Sequence, residues 1–192
     1  MSKFRLVGIS GNTHRPSKSQ ILLGTILESL RIEPGVSTTV FDIIDAGPGL
    51  GGAYQRDHLP PEAARIVEAI ENADGLIVAV PIYKASYPGL FKHLIDFVDP
   101  LKLAGKPVAL AATGGGTRHA LSIEHQLRPL FGFFSALTLP TGVFVSDANY
   151  AEGKIVDSDS LTRIDALAAE FKNVLRTRSN ARSIEEKAAV VV

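Results

Sequence analysis

Apolar positions along the chain fall into short continuous runs alternating with stripes at helical spacing. The run 4–9 ends in Ser10-Gly-Asn, and beyond a polar loop Ile21, Leu22, Ile26, Leu27 and Leu30 recur on one helix face. Residues 36–44 predict a second strand and residues 45–58, with their glycines, a long loop. Pro61 opens a helix whose apolar face is Ala63, Ile66, Val67 and Ile70, closing near Asn72. The run 76–80 has no polar residue, as a central parallel strand covered on both faces requires, and Pro81 is expected to take the chain out of the sheet. Further strands at 107–112 and 143–145 alternate with helical stretches at 90–98, 118–134 and 161–175.

Such alternation means right-handed βαβ units around a parallel sheet. Five strands predict an α/β three-layer sandwich of flavodoxin-like order, 2-1-3-4-5, with its switch point between the first and third strands. With 192 residues, 45% of them hydrophobic, the chain builds one core and one domain, over 1–175. The tail 176–192, charged until its final small apolar residues, is expected to be mobile or docked on a neighbouring subunit.

Charge narrows the possible partners. Twenty basic residues balance twenty acidic ones, so neither nucleic acid nor an anionic membrane is expected as a partner. The absence of cysteine removes disulfides, thiolate metal sites and thiol catalysis, and fits a reducing compartment. No apolar run reaches spanning length and the first residues read as mature structure, so a cytoplasmic protein without a metal site is expected.

Three loops carry the candidate chemistry, all at the carboxyl ends of strands, where open α/β sheets bind ligands. After the first strand comes Ser10-Gly-Asn-Thr-His-Arg-Pro-Ser-Lys-Ser-Gln20, placing a helix start near Ser17. A helix N-terminus offers free N–H groups to an anion, and Ser10, Thr13, Ser17 and Ser19 add hydroxyls while Arg15 and Lys18 add charge. Ser17 and Gln20 also fit a capping box. The loop is neither a Gly-x-Gly-x-x-Gly fingerprint nor a Walker motif, which leaves a mononucleotide phosphate held by hydroxyls. The third strand delivers Tyr83 and Tyr87 in a small-residue loop suited to a flat ligand; both also fit as half-buried loop anchors. Thr113-Gly-Gly-Gly-Thr117 follows the fourth strand and lets backbone approach a ligand closely. A fourth feature is Pro129, inside a helical pattern of Ile123, Leu127, Leu130 and Phe131. Proline removes the bond to the carbonyl of His125, so the ladder must open, for which a π-bulge is one relief. Phe131, Phe133 and Phe134 exceed what one helix face buries against its own sheet, predicting a subunit contact there.

The stretches Gly11 to Ser19, Asp74-Gly-Leu-Ile-Val-Ala-Val-Pro-Ile-Tyr-Lys-Ala-Ser-Tyr87 and Ala112-Thr-Gly-Gly through Leu127-Arg-Pro-Leu130 resemble the NAD(P)H-dependent FMN reductases of flavodoxin-like fold. Within that family they are most similar to the reductase component of two-component alkanesulfonate or methanesulfonate monooxygenases. The resemblance covers most of residues 4–147 and implies FMN, with NADH or NADPH as hydride donor. By position it assigns the FMN phosphate to Ser10, Arg15, Ser17 and Ser19, although Arg15 stands one residue later than in relatives. It assigns the isoalloxazine and ribityl chain to Pro81, Ile82, Tyr83 and Lys84, and the ring edge to Thr113, Gly114 and Gly115. It also associates the position of His125, a tyrosine in relatives, with a π-bulge at a tetramer interface.

The resulting expectation is a flavin reductase, a homodimer or homotetramer, that supplies reduced FMN to a partner sulfonate monooxygenase. The cofactor carries the chemistry, so no catalytic side chain is expected. Backbone donors near Ile82, Tyr83 and Gly114, with Lys84, are expected to stabilise the reduced flavin's charge. The same fold also supports a quinone or azo-dye reductase with retained FMN, and a flavodoxin-type electron carrier.

Overall fold

The computed structural model describes residues 4–30 and 36–189. Strands β1 (Phe4–Ser10), β2 (Val36–Asp42), β3 (Gly75–Pro81) and β4 (Pro107–Gly114) form a parallel sheet in the order 2-1-3-4. β3 and β4 are buried along their whole length, which is why their sequences show no alternation. Pro81 remains in the sheet as the last residue of β3, opposite Thr113. The outer edge of β4 is shared by two short parallel strands, β5 (Leu137–Thr138) and β6 (Val143–Ser146). The register steps from Val108↔Thr138 to Ala111↔Val143, so this fifth strand carries extra residues at 139–142, where Pro140 has no N–H for a ladder. Only its second half is apparent from the apolar pattern, because β5 is half exposed.

Alternate residues of the strands serve two cores. Val7, Ile9, Val78 and Val80 face α2 (Pro61–Asn72), α3 (Gly89–Ile95) and α4 (Arg128–Phe133); Leu6, Ile77 and Ala79 face α1 (Lys18–Ser29) and α5 (Ser158–Ala189). Phe171 on α5 is fully buried with its ring over Gly75, where an added Cβ would lie 2.8 Å from its Cζ. That glycine lets the helix approach the sheet closely.

Four elements depart from the sequence reading. α5 continues past Leu175 to Ala189, since residues 176–189 contain neither glycine nor proline to stop it; residues 190–192 lie outside the described residues. The loop after β2 contains short 3-10 turns at Ile43–Ala46, Leu50–Gly52 and Arg56–His58. A small antiparallel hairpin, β7 (Tyr150–Ala151) with β8 (Lys154–Ile155), turns through Glu152 and Gly153 at φ of 48° and 74°. Of the three phenylalanines expected at a subunit contact, Phe131 and Phe134 are buried in their own core, and only Phe133 is exposed, at 70%.

The stretch 118–134 is helical in three different ways. A 3-10 turn at Thr117–His119 leads to a π-helical turn at Ile123–Leu127, and α4 follows. The Arg128 N–H donates to the Ile123 carbonyl, five residues back, and Pro129 takes the first turn of α4, where a missing N–H costs least. His125 and Pro129 are both exposed.

Candidate flavin site

Parallel pairing brings the ends of five strands to one edge. Asp42 lies beside Ser10, Ser10 beside Ala79, Pro81 beside Thr113, and Gly114 beside Ser146. The crevice between β1 and β3 is the switch point, because the chain leaves β1 toward β2 on one side and returns in β3 on the other.

Ser10, Ser17 and Ser19 converge there as a buried cluster of hydroxyls. Ser10 Oγ is 2.5 Å from Asn12 Oδ1 and 3.1 Å from Ser19 Oγ, and Ser17 Oγ is 2.8 Å from Ser19 Oγ. The capping box predicted for Ser17 and Gln20 does not form. Ser17 is the N-cap residue of α1 but makes no side-chain cap bond, and Gln20 Nε2 donates instead to Asp42 Oδ2. The first N–H groups of α1 are therefore left without intrahelical or side-chain acceptors beside three hydroxyls.

Arg15 is not part of that cluster. Its guanidinium donates through Nε and Nη2 to both oxygens of Asp42, at 2.6 and 2.7 Å, and to Asp45 at 2.7 Å. Its bonds to the Asp42 and Asp45 carboxylates raise the Arg15 pKa above its ordinary value. Burial pushes the Asp42 carboxyl up, but the bonds from Arg15 and Asn12 outweigh it and hold the group below its ordinary value. Lys18 is engaged as well, 3.1 Å from Asp147 and over the Tyr150 ring, whose hydroxyl is itself pushed up by burial. A phosphate in this loop would thus meet hydroxyls and backbone N–H groups rather than an unpaired arginine or lysine.

The second loop folds into a two-residue hairpin. Tyr83 and Ser86 exchange backbone bonds of 2.7 and 3.1 Å, and Lys84 and Ala85 between them sit at φ of 50° and 71°. This is the geometry of a type I′ turn, built here without the glycine such turns favour. Ser86 Oγ donates to Gln126 on the π-helical turn, at 3.1 Å, and Tyr87 packs edge-on against Phe91. Tyr87 is accordingly a loop anchor, while Tyr83 and Lys84 are exposed at the tip. The Ile82 and Tyr83 N–H groups expected to face a ligand are engaged by the Thr113 and Ser86 carbonyls. Those of Lys84 and Ala85 are not bonded to any described residue. Ala85→Gly is expected to raise stability by about 0.5–1 kcal/mol, since left-handed backbone is unfavourable for alanine. Thermal unfolding checks this through a rise in Tm of about 2 °C.

In the third loop Thr113 is buried with its carbonyl on Ile82, which ties the second and third loops together. At Gly114 an added Cβ would touch His119 and Phe144 at 3.4 Å, whereas Gly115 is exposed with nothing near. Asn12, Asp42 and Gln126 are polar participants that the sequence reading missed, and Gln20, expected as a capping partner of Ser17, bonds Asp42 instead. Asp42 was nevertheless within reach of the predicted strand order, which sets the end of the second strand beside the end of the first.

The fold and the site converge with what the chain is similar to. An FMN reductase (NADPH) of Pseudomonas aeruginosa is 44% identical over 169 residues, covering 88% of this chain and 90% of that one. The NADH-dependent FMN reductase SfnF of Pseudomonas fluorescens is 46% identical over 166 residues, covering 86% and 88%. Among solved structures, the apo form of an NADH:FMN oxidoreductase, EMOB, aligns with a TM-score of 0.80 at 29% identity over 90% of each chain. Residues 4–151, from the start of β1 to the hairpin beyond β6, match the sequence pattern of the NADPH-dependent FMN reductases, and this chain belongs to that family.

Proposed function

We propose that the protein is a flavin reductase that passes hydride from NADH or NADPH to FMN and releases reduced FMN to a separate monooxygenase acting on a sulfonate. The observation that carries this reading is the buried hydroxyl cluster of Ser10, Ser17 and Ser19 beneath an uncapped helix N-terminus, at the switch point and beside the Tyr83 hairpin. This donor set fits a phosphate monoester. FMN, when bound, supplies the hydride-accepting ring. Ser10, Ser17 and Ser19 would hold its phosphate, Pro81, Ile82, Tyr83 and Lys84 would flank the ring and ribityl chain, and Thr113, Gly114 and Gly115 would follow the ring edge. Charge on the reduced ring would then be met by the free N–H groups of the Lys84-Ala85 tip.

A reductase that serves another enzyme must let its flavin go. An affinity near the micromolar level, about 8 kcal/mol, is consistent with a phosphate pocket whose nearby cations are already paired. Purified protein is expected to lose flavin on dilution, and NAD(P)H oxidation to rise with added FMN and saturate. Flavin that survives dialysis, with activity indifferent to added FMN and rapid reduction of quinones, would replace this reading with that of a quinone reductase.

The segment around His125 and Pro129 is further proposed as a contact of a homodimer or homotetramer, since Leu121, Phe133 and Leu137 are exposed about it. Light scattering that gives a monomer at micromolar concentration would exclude this. Among the described residues no helix is long and apolar enough to cross a membrane, which is compatible with the proposed cytoplasmic location.

A further inference from the structure

Asp42 is the most heavily bonded side chain near the site, and nothing in the proposed chemistry uses it. Only 1% exposed, its Oδ2 accepts from Asn12 Nδ2 at 3.0 Å, Arg15 Nε at 2.6 Å and Gln20 Nε2 at 2.5 Å. Oδ1 accepts from Arg15 Nη2 at 2.7 Å and from the Ile44 and Asp45 N–H groups at 2.9 and 3.2 Å. Asn12 and Arg15 belong to the loop that leads from β1 into α1 and Gln20 to the first turn of α1, so one carboxylate holds that loop at its start and middle and the helix into which it runs. Asp45 completes the arrangement by accepting from Arg15 and from the Asp42 N–H.

The carboxylate also reaches the hydroxyl chain through Asn12. Asn12 Nδ2 donates to Asp42 and to the His14 carbonyl, so the amide oxygen must face Ser10. An amide oxygen cannot donate, so the single Ser10 proton goes to it across 2.5 Å. Ser19 Oγ lies 3.1 Å from Ser10 Oγ and 2.8 Å from Ser17 Oγ, so the three hydroxyls form one linked chain that begins at Asn12. The inner end of the chain is thus anchored through Asn12 to Asp42, with Ser17 at the N-cap of α1 as its outer end.

We infer that Asp42 is the positioning residue of the phosphate loop, and that Arg15 acts on flavin selection through Asp42 rather than by contact with the phosphate. The inference rests on the flavin reductase reading and names what gives that site its preference for FMN over riboflavin. Riboflavin lacks only the phosphate, so it reports general damage to the fold or ring site, and the ratio of the two KM values isolates the loop.

The test measures KM and kcat for FMN and for riboflavin in the parent, Asp42→Asn, Arg15→Gln and the double variant. The parent is expected to favour FMN, and Asp42→Asn to reduce that preference about tenfold, the equivalent of one charge-assisted bond, with the riboflavin KM moving less than the FMN one. Arg15→Gln is expected to reduce it by a similar factor, and the double variant to be no worse than either, because both act on one unit. If Arg15 touches the phosphate, Asp42→Asn frees it and FMN preference stays level or rises, with additive effects in the double variant; that result overturns the inference. Should Asp42→Asn fail to fold, Gln20→Ala serves, since its one described side-chain bond is to Asp42. A fall in FMN preference supports the inference there, and an unchanged preference overturns it. A parent that reduces neither flavin overturns the flavin reductase reading itself, and the inference with it.

Discussion

Gly11→Ala is expected to cost about 1–3 kcal/mol of stability and to raise the KM for FMN by an order of magnitude or more. A Cβ at this position would lie 2.7 Å from Val80 Cγ1 and 3.1 Å from Val80 Cβ, well inside ordinary contact. Val80 is fully buried and β-branched, so it has little freedom to turn aside. The Gly11 N–H donates to the Ala79 carbonyl at 2.9 Å, which holds the glycine against β3. The clash must therefore separate the end of β1 from β3 at the switch point, and Ser10 and the loop behind it move with β1. Thermal unfolding and FMN titration of turnover measure the two parts. Gly24→Ala is the control, an added Cβ in α1 with nothing within 4 Å, and it is expected to leave KM as it is. Parent-like Tm and KM in Gly11→Ala would contradict the packing described at the switch point.

Phe171→Ala separates stability from the site. The ring is fully buried between α5 and the sheet, and its loss is expected to cost about 3–5 kcal/mol, a drop in Tm of about 10 °C or more. Flavin KM values measured below the transition are expected to stay close to the parent's, because the ring packs against Gly75, the first residue of β3, at the opposite end of the strand from the loops. Gly75→Ala gives the complementary test. Alone it overpacks, with its Cβ 2.8 Å from Phe171 Cζ and 3.1 Å from Pro107 Cγ; in the Phe171→Ala background most of that clash is gone. The two substitutions should therefore couple, the double variant being more stable than the sum of the singles implies. Additive losses would mean that the Phe171 ring does not rest on Gly75.

The central strands, the flavodoxin-like order and the placing of three loops at one edge were legible because each follows from local pattern. A buried parallel strand such as 76–80 needs an unbroken apolar run, and helices between strands leave few topologies. The hydroxyl loop was legible for the same reason, since Ser10, Ser17 and Ser19 all fall in the short stretch where a strand hands over to a helix. The opening of the helix before Pro129 was equally a local matter, as proline lacks the donor wherever it stands.

What the side chains of that loop bond to was decided only by tertiary structure. Arg15 reads as a phosphate ligand while its neighbours are known only along the chain; in the fold the end of β2 arrives alongside, and Asp42 and Asp45 take the guanidinium. Gln20 reads as half of a capping box and is drawn to the same carboxylate. Phe131 and Phe134 read as surplus apolar surface until the π-helical turn and β5 set where the helix faces, after which both are covered. The physical reason is common to all four residues. Periodicity records which positions leave water, whereas a buried carboxylate such as Asp42 draws in whichever donors, and a ring whichever apolar cover, the topology brings within a few ångströms, and for Arg15 and Gln20 that carboxylate is distant in sequence.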